Sequence, residues 1–187
     1  MTNITKKPGG WSAVRQHLTT WDKAALLALL KDLYATAGVN RDFIQGRCQA
    51  RESGGEVLEK YRRKIVEQFF PARGFGKLKL GEARKAIRDY RKATGNLPGT
   101  AELLMTYVEN GAQFTREYGD IDERFYSSVE SALEELAALL DGEARELYPQ
   151  FSERLAKVEQ MTDGIGWGFH DFVADVVGRL AEELDDQ

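Results

Sequence analysis

Apolar residues recur at intervals of three and four along almost all of this 187-residue chain, and the alternation expected of half-buried strands is nearly absent. That period confines the chain to the all-α class. The connections between helical segments are short, so neighbours should pack antiparallel, and the expected fold is an antiparallel helical bundle of about seven to nine helices. A curved stack of helical hairpins is the second choice. Aligning the hairpins yields no fixed period, which argues against a repeat array.

Punctuation residues divide the chain into a flexible tail over residues 1–10 and a single helical domain over 11–187, with an acidic helical part from about residue 141. A short helix is expected over Trp11 to Leu18. Thr20 then offers an N-cap for a helix from Trp21 to about Ala37 that stops at Gly38. Its sequence, WDKAALLALLKDLYATA, is apolar on most of its circumference, the signature of a central and most buried element. Asn40 can cap the next helix, and Ser53-Gly54-Gly55 forms a turn before EVLEKYRRKIVEQFF. The stretch PARGFGKLKLG, within residues 71–81, reads as a hinge loop. Gly95 ends a basic helix, Pro98 and Thr100 introduce a long one, and Pro149 either kinks a later helix or starts a new one.

One Cys and two His are too few for a disulfide framework or a zinc finger, which points to a reducing cytoplasm and to no metal or other cofactor. The N-terminal MTNITKKPGG has no apolar stretch after its lysines, and no run of eighteen uncharged apolar residues follows, so neither secretion nor a membrane partner is expected.

The net charge of −4 conceals a division, because residues 1–92 carry 20 Lys/Arg against 9 Asp/Glu whereas residues 101–187 carry 6 against 21. Such a field either orients charged partners or lets the two ends dock on each other. Within 60–92, Arg62, Arg63, Lys64, Lys77, Lys79, Arg88 and Arg91 are candidate anion-binding residues, joined by Arg73, Arg84, Lys85 and Lys92. Tyr61, Phe75 and Tyr90 lie among them, where they could stack on unpaired bases. A sequence pI near 5.4 weighs against a dedicated nucleic-acid binder, so pairing of the basic residues with the acidic half is favoured.

The hairpin around YGDID permits a register argument. If the helices flanking residues 119–121 are antiparallel with equal rise, positions whose numbers sum to about 240 share a height. Phe114 then faces Tyr126 and Glu109 comes opposite Ser131 beside Glu130, giving a candidate polar cluster of Glu109, Asn110, Asp120, Ser127 and Glu130. Facing carboxylates can bind a cation or share a proton, but a di-metal bundle also needs Glu-x-x-His pairs, which neither His17 nor His170 provides. The Asp120 to Glu123 turn fails as a calcium loop on spacing, since Phe125 and Ser131 stand where Gly and an acid are required, and helix capping by Asp120 or Asp122 fits better. Gly164, Gly166 and Gly168 lack the strand and the Lys-Ser/Thr of a phosphate loop; a glycine-rich entry turning Trp167 and Phe169 inward is expected instead. His170 has no nucleophile nearby, and Cys48 is expected to pack against the core. No catalytic residue is assigned.

The stretch ARKAIRDYRKATGNLPGTAELLMTYVENGAQFTREYGDIDERFYSSVESAL, residues 83–133, resembles the hallmark segment of a bacterial family of short all-helical proteins known only as a domain of unknown function. LLALLKDLYATAGVNRDFI, residues 26–44, is similar to that family's opening hairpin. The resemblance implies a cytoplasmic helical domain whose recognisable pattern includes Tyr107, Glu109, Asn110, Phe114, Tyr118, Gly119, Asp120, Phe125, Tyr126 and Glu130, and it brings no activity or cofactor. The acidic extension after about Leu140 departs from the family's pattern, and would cover a surface that relatives leave open.

Taken together, the expected role is a protein-interaction or binding module without catalysis, in which the exposed apolar and acidic faces of the C-terminal helices receive a protein partner or a second copy. A nucleic-acid-associated protein using 60–92 is the alternative, and an enzyme or metal-binding bundle using Glu109, Asp120 and Glu130 comes a distant third.

Overall fold

The computed structural model describes residues 10–49 and 54–184, of which 82 % are helical and none is in a strand. The tail expected over residues 1–10, apart from Gly10, and Ser53 lie outside the described residues, while Gly54 and Gly55, expected in a turn with Ser53, are instead the first residues of the fourth helix. The elements are α1 (Trp11–Leu18), α2 (Lys23–Thr36), α3 (Gly38–Gln49), α4 (Gly54–Phe69), α5 (Leu80–Thr94), α6 (Leu97–Tyr118), α7 (Glu123–Asp141), a 3₁₀ turn (Arg145–Leu147), α8 (Tyr148–Thr162) and α9 (Phe169–Leu184).

Long and buried along most of its length, α6 is the axis of the bundle and packs against α4, α5, α7 and α8. Around it, α9 closes onto α7 and α8, and α3 lies against α5. The α6 helix is well started, since Asn96 accepts a hydrogen bond from the Gly99 N–H at 2.8 Å and Pro98 sits in the first turn, where its missing N–H costs nothing. Gly95 ends α5 at φ 63°, a left-handed conformation that favours glycine. Pro149 lies in the first turn of a new helix, α8. The core is densely aromatic: Phe69 meets Tyr107, Phe114 and Phe125 edge-on at 5.3–6.4 Å between ring centres.

Three local expectations are corrected. Asp22, not Thr20, caps α2, accepting from the Ala25 N–H at 2.7 Å, while the Thr20 hydroxyl donates back to the His17 carbonyl. Asn40 lies inside α3 and donates to the Leu33 carbonyl rather than capping its helix. The segment expected as a hinge is a loop only as far as Lys79, and it is anchored. The Leu78 N–H donates to the Gln68 carbonyl at 2.9 Å, and Phe75 lies against Phe114 and Tyr118. Gly76 is so close to the end of α4 that a Cβ there would stand 2.2 Å from the Phe69 carbonyl oxygen.

The largest departure concerns α2. It contains no buried residue, and Leu27, Leu30 and Leu33 are exposed, so the most apolar helix of the chain is peripheral rather than central. Its main neighbour is α3. A helix apolar all round is normally covered all round, and α2 has a cover on only part of its surface.

Candidate functional site

The register of the α6–α7 hairpin holds to within one residue. A Cβ on Gly111 would meet Val129, the Thr115 and Tyr126 hydroxyls are 2.7 Å apart, and Phe114 lies against Phe125. The facing partner is displaced by one, because Tyr126 pairs with Thr115 where Phe114 was expected. Tyr126 also donates to Asp120 at 3.1 Å, while Asp122 caps α7 by accepting from the Phe125 N–H at 2.8 Å. The capping reading of that acidic turn is therefore correct for Asp122.

The expected polar cluster does not assemble. Glu109 turns to α8, where the Arg154 guanidinium donates to both of its oxygens at 2.8 and 2.7 Å. The same guanidinium donates to Glu102 at 2.6 and 3.2 Å, and Arg62 reaches Glu102 from α4 at 3.0 Å. Hydrogen bonds that Arg154 donates to Glu109 and Glu102 hold it firmly in its charged form against the opposing effect of burial. Asn110 donates to the Thr106 carbonyl and Ser127 is exposed. The carboxyl of Glu130 is pushed up from its ordinary range, first by burial and then by Glu134 one turn along α7; Glu109 does not contribute.

A raised carboxyl favours protonation in the fold, so ionised Glu130 opposes folding above its folded-state pKa, and the penalty fades as pH falls through that value. Glu130→Gln should therefore raise the melting temperature slightly at pH 7, with the gain fading as pH falls into the ordinary carboxylate range. A melting series in which the variant is less stable at pH 7 would contradict the assignment.

The two charged halves touch. Arg62 pairs with Glu102, Arg84 with Glu135 at 2.7 Å, and Arg91 with Glu143 at 3.8 Å, each crossing from the basic to the acidic part. Within the basic part, Arg63 meets Glu59, Lys79 meets Glu82 and Lys85 meets Asp89, while Lys64 lies over the Tyr61 ring. Lys77 and Arg88 are exposed, with no ion pair among the described residues. Tyr61 and Tyr90 are buried against each other at 5.6 Å, so they are closed to nucleic-acid bases. Of the three interleaved aromatics only Phe75 faces solvent.

Sequence reasoning missed two anchors. Asp42, only 5 % exposed, accepts from Lys60 at 2.6 and 2.8 Å and from the Tyr61 hydroxyl at 3.1 Å, which fastens α3 to α4. Burial, reinforced by the Asp42 charge, keeps that tyrosine protonated at any physiological pH. The other is Arg154, and a signal for it existed: it is one of only six basic residues after residue 100, and Glu102 and Glu109 are two helical turns apart on one face. Two minor expectations also fail, since Cys48 is exposed rather than packed, and Trp167 is 64 % exposed at φ 62° while Phe169 alone turns into the core. The His170 ring nitrogen lies 3.1 Å from the Thr162 hydroxyl.

What remains open is an apolar surface at the N-terminal end. Trp11, Val14, Trp21, Leu27, Leu30, Leu33, Val39 and Phe43, all on or beside α1 to α3, are exposed, with Trp11 at 69 %. No helix of the described residues is long and apolar enough to cross a membrane, and the fourteen residues of α2 are too short to do so. Comparison with family models, with curated proteins and with solved structures finds no match to this chain.

Proposed function

We propose that this protein is an interaction module that associates with a second copy of itself through the apolar surface of α1–α3. The observation that carries the reading is α2, a helix apolar on nearly every side that the fold leaves without a single buried residue. Weighted by exposure, the eight open side chains total roughly 800 Å² of apolar area, an upper limit on what they could bring to one contact, and a standard interface takes about that much from each partner. Scattered single hydrophobics need no explanation, whereas a concentration on three consecutive helices does.

Charge favours a second copy over a strongly charged partner. Residues 10–49 carry five Lys/Arg against three Asp, close to balance, so two such surfaces can meet without repulsion. The basic α4–α5 face and the acidic α7–α9 face would each repel their own kind. Closed two-fold pairing is also the commonest arrangement of soluble oligomers. A nucleic-acid role has weaker support, because most of the basic residues already have carboxylate partners and two of the three aromatics are buried. The resemblance at residues 26–44 and 83–133 belongs to this proposal and adds no activity to it.

The test is sedimentation at about 50 μM, well above micromolar dissociation constants. The parent should sediment as a dimer, and Leu27→Glu with Leu30→Glu as a monomer with unchanged helical content, because two carboxylates would be forced into an apolar contact. A monomeric parent at that concentration overturns self-association and leaves a heterologous protein as the occupant. Retention of a short oligonucleotide at about 150 mM salt, lost when Arg88 and Lys77 are neutralised, would instead favour the basic surface.

A further inference from the structure

We infer that the cavity between the N-terminal ends of α5 and α7 is a binding site for a small organic anion, a phosphate ester or carboxylate with an apolar body. It is independent of the α1–α3 surface. The cavity holds about 490 Å³ and is lined by Lys79, Arg84 and Arg124 together with Ser128, over an apolar wall that includes Leu78 and Phe125. That size lies in the range of small-molecule pockets, and the mixture of an apolar wall with a few convergent polar groups is typical of them.

Arg84 is the decisive residue. Its side chain is only 16 % exposed, and one guanidinium nitrogen, Nη2, donates to Glu135 at 2.7 Å. The other, Nη1, is buried without a hydrogen-bond partner. A buried guanidinium donor left unsatisfied is costly and uncommon in a settled interior; Nη1 is itself closed to solvent, so an anion in the cavity satisfies it by drawing the guanidinium round toward the opening. The guanidinium plane is held from behind by the Tyr107 ring, 5.7 Å from its centre, and the Tyr107 hydroxyl is 2.7 Å from the Ser128 hydroxyl. Across the cavity, Arg124 is exposed and makes no ion pair among the described residues.

The backbone adds two further features. Leu78 has φ 49°, a left-handed conformation unusual for a branched side chain, and the next residue closes a tight turn in which the Leu80 N–H donates to the Leu78 carbonyl at 2.8 Å. Strain of this kind concentrates at binding sites. That turn delivers the chain into α5 without any side chain capping the helix; the Leu80 and Glu82 N–H groups donate to the Leu78 and Lys79 carbonyls, which leaves the Gly81 N–H beside Lys79. Asp122 also borders the cavity and carries negative charge, but its carboxylate is engaged in capping α7. Lys79 is shared with Glu82 at 3.1 Å, an exposed pair that an anion can displace.

The site is tested by calorimetric titration of the full chain with phenyl phosphate, benzoate and the neutral benzyl alcohol. Either anion should bind with a dissociation constant below about 1 mM, weakening as salt rises, and whichever binds more tightly identifies the head group. Benzyl alcohol should bind at least tenfold more weakly. Arg84→Gln should reduce anion affinity by at least tenfold; because it also strips Glu135 of its partner, Arg124→Gln serves as the second variant, since that residue is exposed and cannot disturb the core. A fold intact by circular dichroism with affinity reduced about fivefold or more supports the site. No heat from either anion up to about 5 mM, equal binding of the alcohol, or affinity within about twofold of the parent in both variants overturns it.

Discussion

Replacing Phe69 by alanine should lower the stability of the bundle by about 3–5 kcal/mol, the range for deleting a buried phenyl ring. Phe69 is almost fully buried at the last turn of α4, and its ring meets edges or faces of Tyr107, Phe114 and Phe125, so the cavity it leaves is walled by rigid rings on α6 and α7 that cannot collapse into it. At about 2–4 °C per kcal/mol for a chain of this size, the melting temperature should fall by roughly 10 °C or more. Phe75 provides the control. It also touches Phe114 and Tyr118, yet it is largely exposed, and Phe75→Ala should cost less than about 1 kcal/mol. Similar losses for the two substitutions, followed by helical circular dichroism on heating, would show that the aromatic cluster is not the core. The same ring ties the core to the loop, because the carbonyl of Phe69 lies against Gly76 and the neighbouring Gln68 carbonyl receives Leu78. Phe69→Ala should therefore also loosen the Leu78 wall of the anion cavity.

The difference between what the sequence predicts and what the structure adds follows the range of the interactions. Helix period and caps are local, so the all-α class, the αL glycine at Gly95, the proline-started α6 and the Asp122 cap can be read from the residues themselves. The α6–α7 register was accessible because rise per residue is fixed; the facing pair slipped by one because angular phase depends on how the helices cross, which the sequence does not state. Burial of α2 was misjudged for a deeper reason. Its composition announces that it is to be covered, but not whether the cover comes from its own chain or from another molecule. The candidate polar cluster failed because Glu109 was matched with its neighbour across the hairpin, while its partner Arg154 lies 45 residues further on. In the same way the anion cavity depends on bringing the starts of α5 and α7 together, a juxtaposition with no local signature.

Arg154→Ala is the second substitution with a large expected effect, a loss of about 2–4 kcal/mol. The guanidinium makes four charge-assisted hydrogen bonds to two carboxylates that α6 presents two turns apart, and it also lies over the Phe151 ring of its own helix. Its removal leaves Glu102 and Glu109 partly buried and facing each other's charge, with Arg62 alone to answer Glu102. The loss therefore comes less from the attraction forgone than from carboxylates stranded without a donor. That distinction yields a test: Arg154→Met combined with Glu102→Gln and Glu109→Gln removes the ion pairs while filling the space and discharging the acids, and it should recover more than half of the loss seen in Arg154→Ala. Thermal melting of the parent, the single and the triple variant decides the matter. A single variant within about 2 °C of the parent would show that the hub is a solvated surface pair of little consequence. A triple variant less stable than the single would show that the stabilisation resides in the charges themselves. The expected order, parent above triple above single, is the one that follows when α8 is held to α6 by a cation whose main contribution is to satisfy two acids that packing has already drawn out of water.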